Sequence, residues 1–459
     1  MINPHHLVTA HPELGQAARL VVGYSGGLDS TVLLHLTRAA FPEADLHALH
    51  VHHGLSPHAD TWQQHCAQQC AAWQIPFVAE RVTLPPGGIE DSARRARYDA
   101  YRRHLQAGDV LLQAHHADDQ AETLLFRLLR SGGSHSLAGI PPQRSWGAGQ
   151  ILRPLLPFRR AELEAYARYH GLSWVEDESN RDDAYDRNYL RLQVLPLLEQ
   201  RWPHAVTALC TSAARAREEA TLLEEWAEEH LEAADERPER VGWSIALSWF
   251  ADHSEERWGY VLRHWARLRQ LPVPGERALA RFGADVLRAR HDATPVLQWR
   301  GASLRRYRDR LYLLAEAELL AEARLLVEPE LGTRAASELS WNNFPAPLVL
   351  SDGFELRAVQ DPNGPFCVPA GAQLTVRGRE GGERCTPHWR QHSHPLKKLL
   401  QDAALEPWLR DRVPLLYCNG ELAAVGDLWV CKPFAVSGNG GGFAAQRWRL
   451  HWHRPRAIG

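Results

Sequence analysis

ARLVVGYSGGLDSTVLLHLTRAA, residues 18–40, decides the fold. It opens with a short apolar run, ARLVVGY, breaks at a Gly- and Ser-rich turn, and continues at once into a helical pattern from Ser30 to Ala39. A continuous apolar run of this length reads as a strand buried on both faces, the type found in parallel sheets. The same alternation recurs downstream: LHALHVH at 46–52, a helix around 60–73, PFVAERV at 76–82 and a helix over about 89–107. DVLLQAH at 109–115 and a helix from Asp118 to Arg130 follow. Strands alternating with helices predict βαβ units, so the fold class is α/β with a parallel sheet flanked by helices. Ligands in such sheets bind at the carboxyl ends of the strands, here the turns after Tyr24, His52 and His115.

The first of these turns is Ser25-Gly26-Gly27-Leu28-Asp29-Ser30. Glycines let backbone N–H groups face an anion, and the helix that follows adds partial positive charge. Ser25 and Ser30 supply hydroxyl donors for phosphate oxygens. Asp29 is out of place beside phosphate unless a cation lies between them, and Mg²⁺ on Asp29 resolves the conflict. The plainer alternative is a turn in which Asp29 only caps the helix. A Walker A loop is excluded because no lysine precedes Lys397, and GxGxxG fails because the glycines fall at 23, 26 and 27.

The turn after His115 carries His115-His116-Ala117-Asp118-Asp119-Gln120-Ala121-Glu122-Thr123. Asp118 and Glu122 are four apart, as are Asp119 and Thr123, so each pair shares a helical face. Histidines and acids at a strand end suit metal binding or proton transfer. The alternative is that the two aspartates merely favour the helix's first turn. His50, His52 and His53 sit at the third strand end, with no cysteine at zinc-ligand spacing. Arg94 and Arg97, three apart on a predicted helix with Glu90 and Asp91, could face the site together or lie on a solvated surface. Arg187 and Arg191, one helical turn apart, suit either phosphate contact or salt bridges.

Around this core the chain continues with a helix at about 159–170, a mainly helical stretch from about 203 to 290, and alternating strand patterns at 295–314. A Pro-, Gly-, Ser- and Asn-bearing linker spans 328–346. The last hundred residues read as short strands with an Asn-Gly hairpin signal and one helix, PLKKLLQDA. We divide the chain into a catalytic domain at 1–215, a mainly helical domain at 216–340 and a smaller α+β domain at 341–459. The 459 residues are 44% hydrophobic and 23% charged, which excludes disorder and a small disulfide scaffold. No apolar run is long enough for a transmembrane helix, the N-terminus lacks the pattern of a signal peptide, and no CxxC pair occurs. The expectation is free thiols in a reducing cytoplasm, with no membrane contact. Net charge is −3, so no global field points to nucleic acid, yet only Lys397, Lys398 and Lys432 of the 52 basic residues are lysines.

The loop SGGLDS resembles that of the PP-loop ATP pyrophosphatases, which cleave ATP between its α and β phosphates and activate an oxygen as the adenylate. HVHHGLS at 50–56, SARRARY at 92–98, HHADDQAET at 115–123 and EDESNRDDAYDRNYLRLQVLP at 176–196 follow in order. REGGERCTPHWRQHSHPLKKLLQDAALEPWLRDRVPLLY at 379–417 comes last. Together they resemble the three-domain bacterial tRNA(Ile)-lysidine synthetases. The resemblance implies a ligase that uses ATP as co-substrate and acts on the wobble cytidine of isoleucine tRNA with a CAU anticodon. The cytosine 2-oxygen attacks the α-phosphorus, then the ε-amine of free L-lysine attacks the 2-carbon and AMP leaves. It further implies ATP contacts from Ser25 through Ser30, including Leu28, and from His50, Arg97 and Arg187. Arg94, Glu122, Asp177, Asn180, Asn188, Lys397 and Lys398 are assigned to the lysine and tRNA substrates. Asp29, His115, Asp118, Asp119 and Arg191 are the catalytic candidates, with the base for lysine left open among Asp118, Asp119 and His115.

Three other readings fit less of the chain. A thiolase of the same superfamily needs cysteines near the site, but Cys66 and Cys70 are spaced CxxxC on a predicted helix. A metal-dependent phosphoesterase would leave SGGLDS unexplained. A catalytically dead RNA-binding protein should have lost loop residues, and none is missing. The oligomeric expectation is a monomer or a homodimer.

Overall fold

The structure, a computed structural model, describes residues 2–54, 56–83, 89–130, 134–178, 183–290, 293–316, 338–436 and 446–455. It divides into two compact units, Met1–Leu223 and Glu224–Gly459.

In the first unit the elements run α1 (Pro4–Ala10), β1 (Arg19–Gly23), α2 (Leu28–Ala40), β2 (Leu46–His52), α3 (Ala59–Ala72) and β3 (Phe77–Arg81). Then come α4 (Ile89–His104), β4 (Asp109–Leu112), α5 (Ala117–Leu129), α6 (Ser134–Leu137), β5 (Gln143–Trp146) and β6 (Gly149–Leu152). The helices α7 (Arg160–Tyr169), α8 (Asp186–Tyr189), α9 (Leu195–Arg201) and the part of α10 (Ala205–Ala233) up to Leu223 complete it, with a π turn at Leu190–Val194. The strand order is β3-β2-β1-β4-β6-β5, parallel except for the β5–β6 hairpin at one edge.

The apolar run reads as it does because both faces of β1 are covered. Leu20 and Val22 pack into a core with Val32, Leu33, Leu36 and Leu112, whereas Val21 joins Leu49, Tyr101 and Leu111 on the other side. After β1 the chain adds β2 and β3 to one side, then returns to place β4 on the other. Val22 pairs with Leu112 across that junction. A sheet whose winding reverses between two neighbours opens a crevice above their carboxyl ends. Here the crevice receives the Ser25–Ser30 turn from β1 and the His115–Asp119 turn from β4.

In the second unit, helices α11 (Ser248–Ala251), α12 (Glu255–Leu268) and α13 (Glu276–Phe282) accompany a five-stranded antiparallel sheet. Its strands are β7 (Arg237–Pro238), β8 (Trp243–Ala246), β9 (Val296–Trp299), β10 (Ala302–Tyr307) and β11 (Arg310–Ala315). The sequence reading named the strands at 295–314 and passed over β7 and β8. The described residues of 338–436 and 446–455 form a five-stranded, a four-stranded and a two-stranded antiparallel sheet around a core containing Phe354, Leu415 and Trp452, with one seven-residue α-helix, α14 (Leu396–Asp402). Asn419 and Gly420, at φ 51° and 83°, make the hairpin turn that the Asn-Gly pair signalled. Among the described residues no helix is long and apolar enough to cross a membrane. All seven cysteines are free.

Candidate active site

The phosphate loop closes on itself through its own side chains. Ser30 Oγ accepts from the Ser25 backbone N–H at 3.2 Å and donates to the Gly27 carbonyl at 3.1 Å. Ser25 Oγ lies 3.0 Å from Ser30 Oγ and accepts from the Gly27 N–H at 3.3 Å. Gly26 stands at φ 84°, and a Cβ there would fall 2.6 Å from the Cys66 sulfur and 3.2 Å from Val175. Only glycine satisfies both the backbone angle and the space. The helix α2 starts at Leu28, with Gly27 as an extended N-cap that offers no side chain, so the first-turn N–H groups keep the open end of the loop.

Asp29 projects from that first turn toward the second cluster. Arg160 Nη1 donates to both of its oxygens, at 3.1 and 3.0 Å. His116 Nε2 lies 3.7 Å from the same carboxylate. Burial pushes the Asp29 carboxyl up, but the facing His116 ring and the charges of Arg160 and Arg191 outweigh it and hold the group below its ordinary range. The carboxylate is therefore ionised when a phosphate approaches.

His116 was part of the histidine and acid cluster read from the sequence but was given no role of its own, and it occupies the centre of the site. It is 1% exposed and is the N-cap of α5. Its Nδ1 accepts from the Asp119 N–H at 3.4 Å while Asp119 Oδ2 accepts from the His116 N–H at 3.0 Å. This reciprocal capping pair aims Nε2 between Asp29 and Asp119, 3.4 Å from Asp119 Oδ2, where it has no hydrogen-bond partner. Burial pulls its pKa down, but Asp119, Asp29 and Asp118 together raise it above the usual value. The HxxD spacing at a helix start was the available signal.

The remaining acids are held by arginines. Asp118 Oδ1 accepts twice from Arg159, at 3.1 and 2.8 Å, and Oδ2 accepts from the Arg160 N–H at 2.8 Å. Burial of Asp118 is outweighed by these bonds, and its pKa falls. Arg191 Nε donates to Glu122 Oε1 at 2.6 Å, and Nη2 donates to Glu122 Oε2 at 2.9 Å and to Asp119 Oδ1 at 3.0 Å. Arg191 is thus ion-paired to both acids. Glu122 is 3% exposed, and burial raises its pKa despite the arginine. His115 is engaged by an arginine instead. Its Nδ1 accepts from Arg153 Nε at 3.2 Å, and burial, with Arg153 and Arg97 nearby, pulls its pKa down to about 4 against the pull of Asp119. A neutral imidazole whose Nδ1 accepts carries its proton on Nε2.

Family models match three stretches of this chain: a PP-loop domain at residues 5–198, a TilS substrate-binding domain at 246–312 and a TilS substrate C-terminal domain at 374–452. The tRNA(Ile)-lysidine synthase of Serratia proteamaculans (strain 568) is 40% identical over 451 residues, spanning 96% of this chain and 97% of its own. The chain belongs to the tRNA(Ile)-lysidine synthase family. The synthase of Alkalilimnicola ehrlichii is 41% identical over 441 residues, 95% of each chain. That of Yersinia pseudotuberculosis serotype I is 38% identical over 473, covering 99% of this chain and all of its own.

Other residues with an expected role in this synthase fold are placed as follows. His50, 6% exposed, donates from Nδ1 to the Tyr24 carbonyl at 2.9 Å, which leaves Nε2 as an acceptor beside the loop strand. Arg97 is exposed and reaches His53, Nε to Nε2, at 3.5 Å. Arg94 turns instead over the Tyr98 ring, 5.8 Å from its centroid, so the two arginines diverge. Arg187 lies 6.0 Å over Phe126 on α5. Asp177 and Asn188 are half-buried, and Asn180 lies outside the described residues. Lys397 and Lys398 are exposed on α14 of the second unit. Cys66 and Cys70 are fully buried on α3, with thiol pKa values pushed up to about 12 by burial, which makes them core groups rather than reactive thiols.

The donors that would hold a divalent ion are carboxylate oxygens. Asp29 and Asp119 approach one side of the same buried imidazole, and no group of three or more ligating residues assembles among the described residues. A two-carboxylate set of hard oxygens fits Mg²⁺, which keeps waters and takes phosphate oxygens for the rest of its shell.

Proposed function

We propose that the chain is a tRNA(Ile)-lysidine synthase, ligating L-lysine to the 2-position of the wobble cytidine of CAU-anticodon isoleucine tRNA with conversion of ATP to AMP and pyrophosphate. The observation that carries this reading is likeness to synthases over nearly the full length, in a chain whose phosphate loop is intact. The thiolase reading loses its support with the two buried, inert cysteines.

The residues divide the work by position. The α2 N-terminus, Ser25 and Ser30 bind the pyrophosphate half of ATP as it becomes the leaving group. Asp29 and Asp119 would hold Mg²⁺, which supplies charge neutralisation there when bound. His116, its pKa raised by three acids, faces the same phosphates as a hydrogen-bond donor. The lysine step needs an uncharged amine, although the ε-amine has a pKa of about 10.4 in water. Asp119 fits the proton acceptor best: Oδ2, on the His116 side with Asp29, is the oxygen that would meet Mg²⁺, and Oδ1 takes one hydrogen bond, from Arg191, and keeps a free lone pair. Asp118 is spent on Arg159 and the α7 N-terminus, and acts as a positioning group. His115 presents a protonated Nε2 and is no base. Lys397, Lys398 and their basic surroundings contribute tRNA affinity. The free thiols suit a cytoplasmic setting.

The test is incubation of the protein with ATP, labelled lysine and transcripts of isoleucine and methionine tRNAs that share the CAU anticodon. Label should enter only the former, with AMP formed in equal amount. Without lysine, pyrophosphate should still be released and an adenylated tRNA accumulate. Absence of lysine transfer to either transcript would overturn the reading.

A further inference from the structure

On the face of the first unit formed by α4 and the β5–β6 hairpin, arginines and aromatic rings alternate in one stack. Arg94, Tyr98 and Arg102 are four residues apart and form a single stripe of α4. Arg144 and Trp146, two apart on β5, point to the same side of the sheet edge. The two sets interleave. The Arg94 guanidinium lies 5.8 Å over Tyr98, Arg144 lies 4.9 Å over Tyr98 and 4.4 Å over Trp146, and Arg102 lies 4.9 Å over Trp146. Tyr98 and Trp146 themselves meet at 5.2 Å and 61°.

The stack holds three cations, and none of them has a carboxylate partner among the described residues. That contrasts with Arg159, Arg160 and Arg191 in the site, each of which is paired with an acid. The excess charge extends inward. Burial together with Arg144 and Arg94 pulls the Arg153 guanidinium below its ordinary range, opposed only by Tyr98, and partial burial with Arg94 and Arg187 acts likewise on half-buried Arg127. Two donors within the stack, Arg144 Nε and Trp146 Nε1, are buried without a partner. The stack meets the crevice at Tyr98, while Trp146 and Arg102 lie toward the amino ends of β6 and β4. Arg153 Nη2 donates to the Tyr98 hydroxyl at 3.4 Å, and Arg153 Nε donates to His115 at 3.2 Å.

We propose that the Arg94–Tyr98–Arg144–Trp146–Arg102 stack is a docking surface for the single-stranded RNA that flanks the reacting base. Guanidinium planes and aromatic rings in alternation match a strand in which phosphates and unstacked bases also alternate, and three guanidinium groups with no ion pair among the described residues are complementary to a polyanion. The proposal rests on the reading given under Proposed function, because it takes the RNA to be substrate.

The decisive variant is Arg102→Ala with Arg144→Ala, compared with wild type for binding a labelled CAU stem-loop and a blunt duplex of equal length over a salt series. Expected is a roughly tenfold weaker Kd for the stem-loop, with a log–log salt slope shallower by about 1.4, two contacts at about 0.7 each for single strands. Duplex binding, the Michaelis constant for ATP and the thermal midpoint should change little. Arg102→Lys with Arg144→Lys guards against a folding defect: it should keep the slope and recover only part of the affinity. An unchanged Kd and slope would overturn the proposal, as would a loss confined to ATP or equal for duplex and stem-loop. Failure of wild type to transfer lysine while these RNA effects persist would overturn the functional reading and leave the docking surface standing.

Discussion

Arg191→Met removes the fork that ties the segment after α8 to α5. Three hydrogen bonds go, two to Glu122 and one to Asp119, and a carboxyl 3% exposed is left without its partner. Breaking a buried ion pair from one side costs about 3–5 kcal/mol. The Arg191 side chain is 30% exposed, so water can reach the vacated space and the lower end, about 3 kcal/mol, applies. For a unit of this size 1 kcal/mol moves the midpoint by about 2–4 °C, so calorimetry should find the first unit's transition about 6–12 °C lower. Glu122→Gln should cost less, about 1–2 kcal/mol, because Arg191 keeps Asp119. The double variant should be more stable than the sum of the singles by about 1–3 kcal/mol. The sign with pH is also determined. An unpaired buried Glu122 has its pKa raised further, so the folded state binds more protons than the unfolded one. The deficit of Arg191→Met relative to wild type should then narrow as pH falls from 7 toward the unfolded carboxylate range near about 4.3. A midpoint within about 1 °C of wild type, or strict additivity in the double variant, would refute the pairing.

Asp29→Asn should abolish pyrophosphate release while leaving tRNA affinity nearly intact; retention of more than about a tenth of wild-type turnover, a barrier change under about 1.4 kcal/mol, defeats its role toward the leaving group. His115 and His53 are both depressed to about 4 in the folded protein, below the unfolded value near 6.5, so their contribution to stability is complete above pH 6.5 and is lost as pH falls toward 4. Thermal midpoints of His115→Gln should therefore fall less steeply than wild type across that window, and parallel curves would contradict the assigned neutral imidazole. Replacing Lys397 and Lys398 with Ala should raise the Michaelis constant for tRNA and flatten its salt dependence by up to about two phosphate contacts, with the lysine and ATP constants unmoved; an unchanged salt slope would reduce the pair to surface charge.

The parallel sheet was legible because its strands are buried on both faces, and apolar runs of that kind have few other readings. LHALHVH at 46–52 is β2 to the residue, and the helices at 60–73 and 118–130 begin within one residue of the expected places. The end of β4 was not legible. DVLLQAH reads as one strand through His115, but pairing stops at Leu112 so that the next residues can turn into the crevice. The β5–β6 hairpin was missed for a different reason. Gln143-Arg-Ser-Trp146 is an edge strand with no apolar face to show, and it is held by pairing with β6. β7 and β8 hide in a stretch whose Glu, Ala and Arg content speaks for helix, and tertiary pairing with β11 overrides it.

The site was legible as residue types and illegible as partnerships. Spacing brought Asp118, Asp119 and Glu122 to one helix start, but it could not say that Arg159 would consume the first and Arg191 would bridge the other two. The composition held a clue to that division. No lysine precedes Lys397, so every cationic task in the first unit falls to guanidinium. A fork can grip a carboxylate at two points, as Arg191 grips Glu122, or lie flat on a ring, as Arg144 lies on Trp146; an ammonium does neither as well. Arginines that meet acids are thereby used up in building the crevice, and those that meet aromatic rings keep their charge available. The sorting rests on neighbours rather than on the arginines themselves. It assigns Arg159, Arg160 and Arg191 to the architecture of the site, and it leaves Arg94, Arg102 and Arg144 among the cations with charge to offer a polyanion.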